Sequence, residues 1–175
     1  MLVNVRSASI ADAEAIARVH VLSWQGAYAG LLPESFLRGL SVERRAQFWK
    51  HELQNTRVDV FVAEDSGGRV VGFVSLGPSR DEDAPAGTGE ILTIYVLPEE
   101  WGKGHGRRLM EAVVDKARRR GFAAITLWVL EGNERAKRFY SIAGFTPDGA
   151  AKSERIQDSI ELHEVRYRLE VPPGG

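Results

Sequence analysis

Between Glu90 and Arg120 the residue types change in an order with chemical meaning. Ile91 to Val96 is β-branched and aromatic, which predicts a strand that is apolar on both faces and closed by Pro98. Gly102, Gly104 and Gly106 follow at alternate positions, with Lys103, His105, Arg107 and Arg108 among them. Leu109, Met110, Val113, Val114 and Ala117 then recur at helical spacing and predict one buried stripe. The order is strand, glycine-rich turn, helix start. A helix start offers unpaired backbone N–H groups and the positive end of the dipole. Glycines let a ligand approach the backbone, because no Cβ intervenes. Together they make a cradle for a pyrophosphate, here Gly102 to Arg107. The plainer reading is a helix start with permissive glycines and solvated basic residues.

Register excludes two phosphate-binding patterns. A dinucleotide fingerprint needs a third glycine three residues after the second. From Gly102 that position is Arg107, and from Gly104 it is Leu109. A nucleoside-triphosphate loop needs Ser or Thr after Gly-Lys, and Lys103 is followed by Gly104. What remains resembles the acyl-CoA motif of the GNAT family of N-acetyltransferases: Gln or Arg, two residues, Gly, one residue, then Gly or Ala. Gly104 and Gly106 fit it, while Trp101 stands where Gln or Arg is usual. That departure removes one side-chain donor and none of the backbone ones. A second stretch is similar to the other signature of this family. Leu127, Trp128, Val129 and Leu130 read as a strand, followed by Asn133, Ala136, Phe139, Tyr140, Gly144 and Phe145 at the family's offsets. The segment from Ser23 and Trp24 to Pro33 also resembles a subgroup of these enzymes.

The resemblance implies roles residue by residue. Ile94, Tyr95 and Val96 would pair with pantetheine amides as a peptide pairs with a sheet edge. An N–H near Val96 or Leu97 would face the thioester oxygen. Gly102, Lys103, Gly104, His105, Gly106 and Arg107 would hold the pyrophosphate, and Lys137 or Arg138 a nucleotide phosphate. Tyr140 would give a proton to the leaving thiolate; otherwise it is a half-buried core tyrosine. Asn133 would contact the pantetheine arm, cap a helix, or do both. Glu90 is either a solvated strand end or the general base that takes a proton from an amine. Asp81, Glu82 and Asp83 are rival acids, read first as solvated. Trp24 and Tyr28 would line the acceptor pocket or pack in the core. The implied reaction is direct attack of an amine on acetyl-CoA in a ternary complex. A non-catalytic acyl-CoA sensor would keep the glycine turn without needing Glu90 or Tyr140.

Composition bounds these readings. The 175 residues fit one domain, 1–171 with a short tail, and can bury a core. A net charge of -1 argues against bulk-charge binding to nucleic acid. With 0 cysteines there is no thiolate catalysis or cysteine–zinc chemistry, and the isolated histidines predict no metal site. No signal peptide or membrane-length apolar run is read, so the expected location is cytoplasmic. The expected partner is a small-molecule or peptide amine. Homodimerisation through an exposed edge of the last strand is compatible with the pattern.

The elements that must position these residues follow from the same reading. Leu2 to Arg6 predicts a first strand, then a helix turning Ile16, Val19 and Leu22 inward. Ser23 to Leu32 reads as a loop or broken helix. Helices are expected from Pro33 to Leu40 and from Ser41 to Leu53, the latter with Phe48 and Trp49 in the core. Asp59 to Glu64 and Val70 to Leu76 predict a hairpin. The glycine turn and its helix follow, then a strand from Ala123 to Leu130 and a helix from Asn133 to Ile142. Phe145 starts another strand, Lys152 to Ser159 reads as a polar connection, and Ile160 to Val171 as the last strand. This order is that of an α/β (α+β) domain with a mixed, mostly antiparallel sheet flanked by helices. Resemblance adds that the fourth and fifth strands splay to admit the cofactor.

Overall fold

The computed structural model describes residues 3–157 and 159–174. Leu2 and Ser159's neighbour Asp158, both inside stretches given an expectation above, lie outside the described residues. The chain runs β1 (Asn4–Ser7), α1 (Ala13–Ala27), α2 (Glu34–Arg38), α3 (Val42–Glu52), β2 (Asp59–Glu64), β3 (Val70–Pro78) and β4 (Thr88–Val96). It continues through α4 (His105–Arg119), β5 (Ala124–Leu130), α5 (Glu134–Ile142), β6 (Thr146–Gln157) and β7 (Ile160–Glu170). The strands form one sheet in the order β1-β2-β3-β4-β5-β7-β6. All neighbours pair antiparallel except β4 and β5, which are parallel.

The sheet is mixed because its middle connection passes through a helix. α4 carries Leu109, Met110, Val113 and Ala117 onto one face, where they meet Leu76, Ile91, Ile125 and Leu127. α1 and α3 cover the other face with Ile16, Ala17, Val19 and Trp49 against Val60, Val62 and Phe73. No helix among the described residues is long and apolar enough to cross a membrane.

Several expectations need correction. α1 does not break at Ser23; it continues through Trp24 and Gly26 to Ala27. Gly26 is there for contact rather than flexibility, since a Cβ on it would stand 2.4 Å from Cγ of Pro98. Leu22 and Phe48 face solvent, at 40% and 44% exposure, while Trp49 beside the latter is buried. Lys152 to Gln157 is not a connection but the second half of β6, which pairs with β7 along its length. The last strand has no exposed edge, because β7 lies between β5 and β6, and β6 is the edge strand.

Candidate active site

Two parallel strands joined by a helix need not stay together along their length. β4 and β5 pair only at Thr88–Ala124, Gly89–Ile125 and Glu90–Thr126. Beyond that, residues 91–96 and 127–130 run on without pairing to each other, so the sheet opens into a gap. The amide of Leu97 donates to the carbonyl of Val71 at 2.9 Å. Antiparallel alternation then turns the backbone groups of Ile94 and Val96 away from β3 and toward the gap, and those of Tyr95 toward β3. So the Leu97 amide is not free to act as an oxyanion donor, and Val96 is the candidate. Tyr95 contributes a side chain on the α1 face, stacked on His20 at 5.2 Å, rather than backbone groups.

The gap holds a narrow cavity of about 100 Å³ lined by Val96, Leu127, Val129, Asn133 and Tyr140. It shares Ile94, Val96, Trp101 and Arg135 with a cleft of about 320 Å³ at the glycine turn. On its other side it shares Leu92 and Thr93 with a cleft of about 490 Å³ between α3 and the β3–β4 end, walled by Trp49, Glu52, Arg57 and Arg80. A ligand threaded through the gap therefore has one end on the glycine turn and the other facing α3.

The turn itself works through backbone shape. Gly102 and Gly104 have φ of 78° and 93°, which side chains with a Cβ rarely adopt. Gly106 has a packing reason, because a Cβ there would sit 3.2 Å from the ring of Phe139. No side chain caps the start of α4, so its first amides remain open to a ligand. The side chain of His105 turns inward, with Nε2 3.1 Å from Glu100, and so contributes its amide rather than its ring. Lys103 lies 3.3 Å from the same Glu100, and Arg107 pairs with Glu111 at 3.2 Å.

Tyr140 is 8% exposed and packs beside Phe139 and Phe145. Burial pushes its phenol well above the ordinary value, so it is protonated throughout the working pH range. Asn133 accepts the amide of Ala136 at 3.2 Å and caps α5 while still lining the cavity.

The acids differ from expectation. Glu90 is no solvated strand end: it is the third residue of β4 and 1% exposed. Its oxygens accept the Arg80 amide at 3.0 Å and the Arg80 guanidinium at 2.7 Å. Asp81 is half-buried, and Asp83, exposed as expected, is nonetheless paired. Arg166 binds Asp83 at 2.8 and 2.9 Å and Asp81 at 3.2 Å, and Trp128 donates to Asp81 at 3.0 Å. Tyr28 lines the cavity, its hydroxyl 3.4 Å from that of Tyr95. Trp24 packs behind it, edge-on at 4.9 Å, as core.

Two residues escaped sequence reasoning. Glu164 of β7 lies opposite Leu130 and Lys152, on the sheet face of Trp128 and Tyr95. It is half-buried, and desolvation raises its pKa; Glu154 and Glu90 push the same way, Lys152 and Arg80 against. The signal was an acid where the alternation Ile160, Leu162 calls for a third inward residue. The other is Arg135, whose guanidinium lies 3.3 Å over the ring of Trp101.

A central sheet split between β4 and β5, with a glycine turn at one end of the split, defines an acyl-CoA N-acyltransferase architecture. The sequence model of the acetyltransferase (GNAT) family matches residues 23–145, and the chain belongs to that family. It is 34% identical to the uncharacterized N-acetyltransferase YuaI of Bacillus subtilis across 95% of this chain and 90% of the relative. It is 25% identical to spermidine N(1)-acetyltransferase of Thermoplasma acidophilum, across 90% and 97%. Among solved structures, YncA of Salmonella typhimurium with acetyl-CoA superposes with a TM-score of 0.72 at 25% identity, covering 100% of this chain and 97% of that one. The PaiA N-acetyltransferase of Thermoplasma acidophilum with coenzyme A shares the fold, with a TM-score of 0.73 at 23% identity over 97% and 99%.

Proposed function

We propose that this chain moves an acetyl group from acetyl-CoA to an amine by direct attack within a ternary complex. The observation that carries the reading is the β4–β5 gap, open to the glycine turn on one side and to the α3 cleft on the other. Acetyl-CoA fits its chemistry: backbone groups of Ile94 for the pantetheine arm, open amides at the start of α4 for the pyrophosphate. The Val96 N–H stabilises the oxyanion. The amine arrives through the α3 cleft, and relatives named for spermidine, mycothiol and methionine sulfoximine support an amine acceptor.

The amine must lose a proton before or as it attacks. Glu90 has both oxygens engaged by Arg80, so its role is to hold Arg80 at the acceptor cleft. Glu164 faces the same side with its pKa raised, and proton uptake is assigned to it. Tyr140 supplies the proton that the leaving thiolate needs.

The test is thermal stability with acetyl-CoA, coenzyme A, ATP and NAD, followed by a thiol-release screen of amines. Stabilisation by the CoA compounds alone, then turnover with at least one amine, is the expected outcome. Stabilisation without turnover of any small amine or peptide would favour a sensor. No stabilisation by CoA compounds would end the reading.

A further inference from the structure

The glycine motif of this chain lacks its usual polar side chain, because Trp101 occupies that position. The indole N–H cannot substitute for it, since it donates to the Val96 carbonyl at 2.8 Å. Arg135, in the first turn of α5, lays its guanidinium on the same indole with Cζ 3.3 Å from the ring centroid. Stacking holds the guanidinium plane and leaves its N–H edges free. Arg135 lines both the narrow cavity and the glycine cleft, so it stands at their junction.

The charge balance there points to an anion. Lys103 and Arg107 are already matched by Glu100 and Glu111. Arg135 has no carboxylate partner among the described residues; the residue is exposed apart from the face laid on Trp101, and that partial desolvation lowers its pKa with nothing opposing the shift. A cation that has lost water without gaining a counter-charge is stabilised by an anionic ligand. The first amides of α4 face this cleft uncapped, and the buried Nδ1 of His105, in the cleft wall, has no partner among the described residues.

We infer that Arg135, oriented by Trp101, is the side-chain donor to the pyrophosphate of acyl-CoA, supplying from α5 what Gln or Arg supplies from the glycine motif in other members. The assignment rests on the acyl-CoA reading of the cleft. It gives Trp101 two tasks, pinning the Val96 carbonyl and presenting the guanidinium.

Calorimetric titration of coenzyme A into the full chain tests it. Arg135→Ala should weaken binding by about 10- to 100-fold, the range for a charge-assisted hydrogen bond to phosphate. The difference from wild type should shrink at high salt, which a purely structural loss would not do. Arg135→Lys should recover little, because a flexible ammonium does not stack as a plane. Trp101→Arg combined with Arg135→Ala should recover most of the affinity by restoring a donor within the motif. The exposed position of Arg135 makes an unfolded variant unexpected, and Arg135→Met serves as a second variant that keeps the apolar stem over the indole. Wild-type binding with Arg135→Ala and Arg135→Met within twofold of it, or a loss independent of salt, overturns the inference and leaves the acyl-CoA reading intact. Failure of the wild type to bind coenzyme A overturns both.

Discussion

Arg80 closes on Glu90 from two directions, with its backbone amide at 3.0 Å and its guanidinium at 2.7 Å. A carboxylate so occupied has little capacity left to take a substrate proton, although its place at the strand start suits a base. The pair instead fixes the β3–β4 loop at the mouth of the α3 cleft, since Arg80 also walls that cleft.

This separates two carboxylates by experiment. A base works only when deprotonated, so kcat/KM should fall as pH drops through the raised pKa of Glu164. Glu164→Gln should lower kcat/KM by about 100-fold and flatten that acidic limb. Glu90→Gln should keep the limb and cost about tenfold, through a looser Arg80. A pH–rate profile in which Glu90→Gln loses the limb would reverse the roles.

Tyr140 offers a second test. Phe keeps its contacts with Phe139 and Phe145 and removes only the hydroxyl. Tyr140→Phe should lower kcat by about 100-fold while the Kd for coenzyme A stays within twofold. Unchanged kcat would make Tyr140 a packing residue.

Stability below neutral pH should report on His20. Trp49 donates to its Nδ1 at 3.2 Å, which requires the neutral ring, and burial depresses its pKa from 6.5 to about 3. Protonation therefore favours the unfolded chain. The stabilisation is complete above pH 6.5 and is lost as pH falls toward 3. By pH 5 the loss should be about 2 kcal/mol. Urea titrations from pH 7.5 to 5 should show that slope in wild type, and His20→Gln, which keeps an acceptor for Trp49, should reduce it.

Gly26→Ala tests the contact between α1 and the end of β4. Alanine favours a helix by about 1 kcal/mol, but its Cβ meets Pro98 at 2.4 Å. Overpacking of about 1–3 kcal/mol should outweigh that gain, lowering Tm and weakening coenzyme A through displacement of Val96. A higher Tm would mean that Pro98 yields freely.

What was legible in the sequence was what local pattern encodes. The strand–glycine–helix unit, the β2–β3 hairpin and the Asn133 cap each carry their determinants within a few residues. α1 was misread at Gly26 because the reason for that glycine is Pro98, distant in sequence. The second half of β6 was misread because a polar edge strand has no apolar face to announce it. For Glu90 a solvated strand end and a general base both stay open in the sequence, because nothing local reveals that Arg80 folds over it. Arg135 and Glu164 gain their meaning from Trp101 and from the face of β7, which only the tertiary arrangement brings together.

The strand order has a consequence for how the chain is made. β7 is the outer neighbour of β5 and, among the described residues, the only strand partner of β6, and it is synthesised after both. On the ribosome, β1 to β4 can pair as they emerge, in register with synthesis. β6 cannot dock at all until β7 exists to receive it. β6 therefore waits for the final strand, and a chain cut short after Gln157 would carry a lone, unpaired β6.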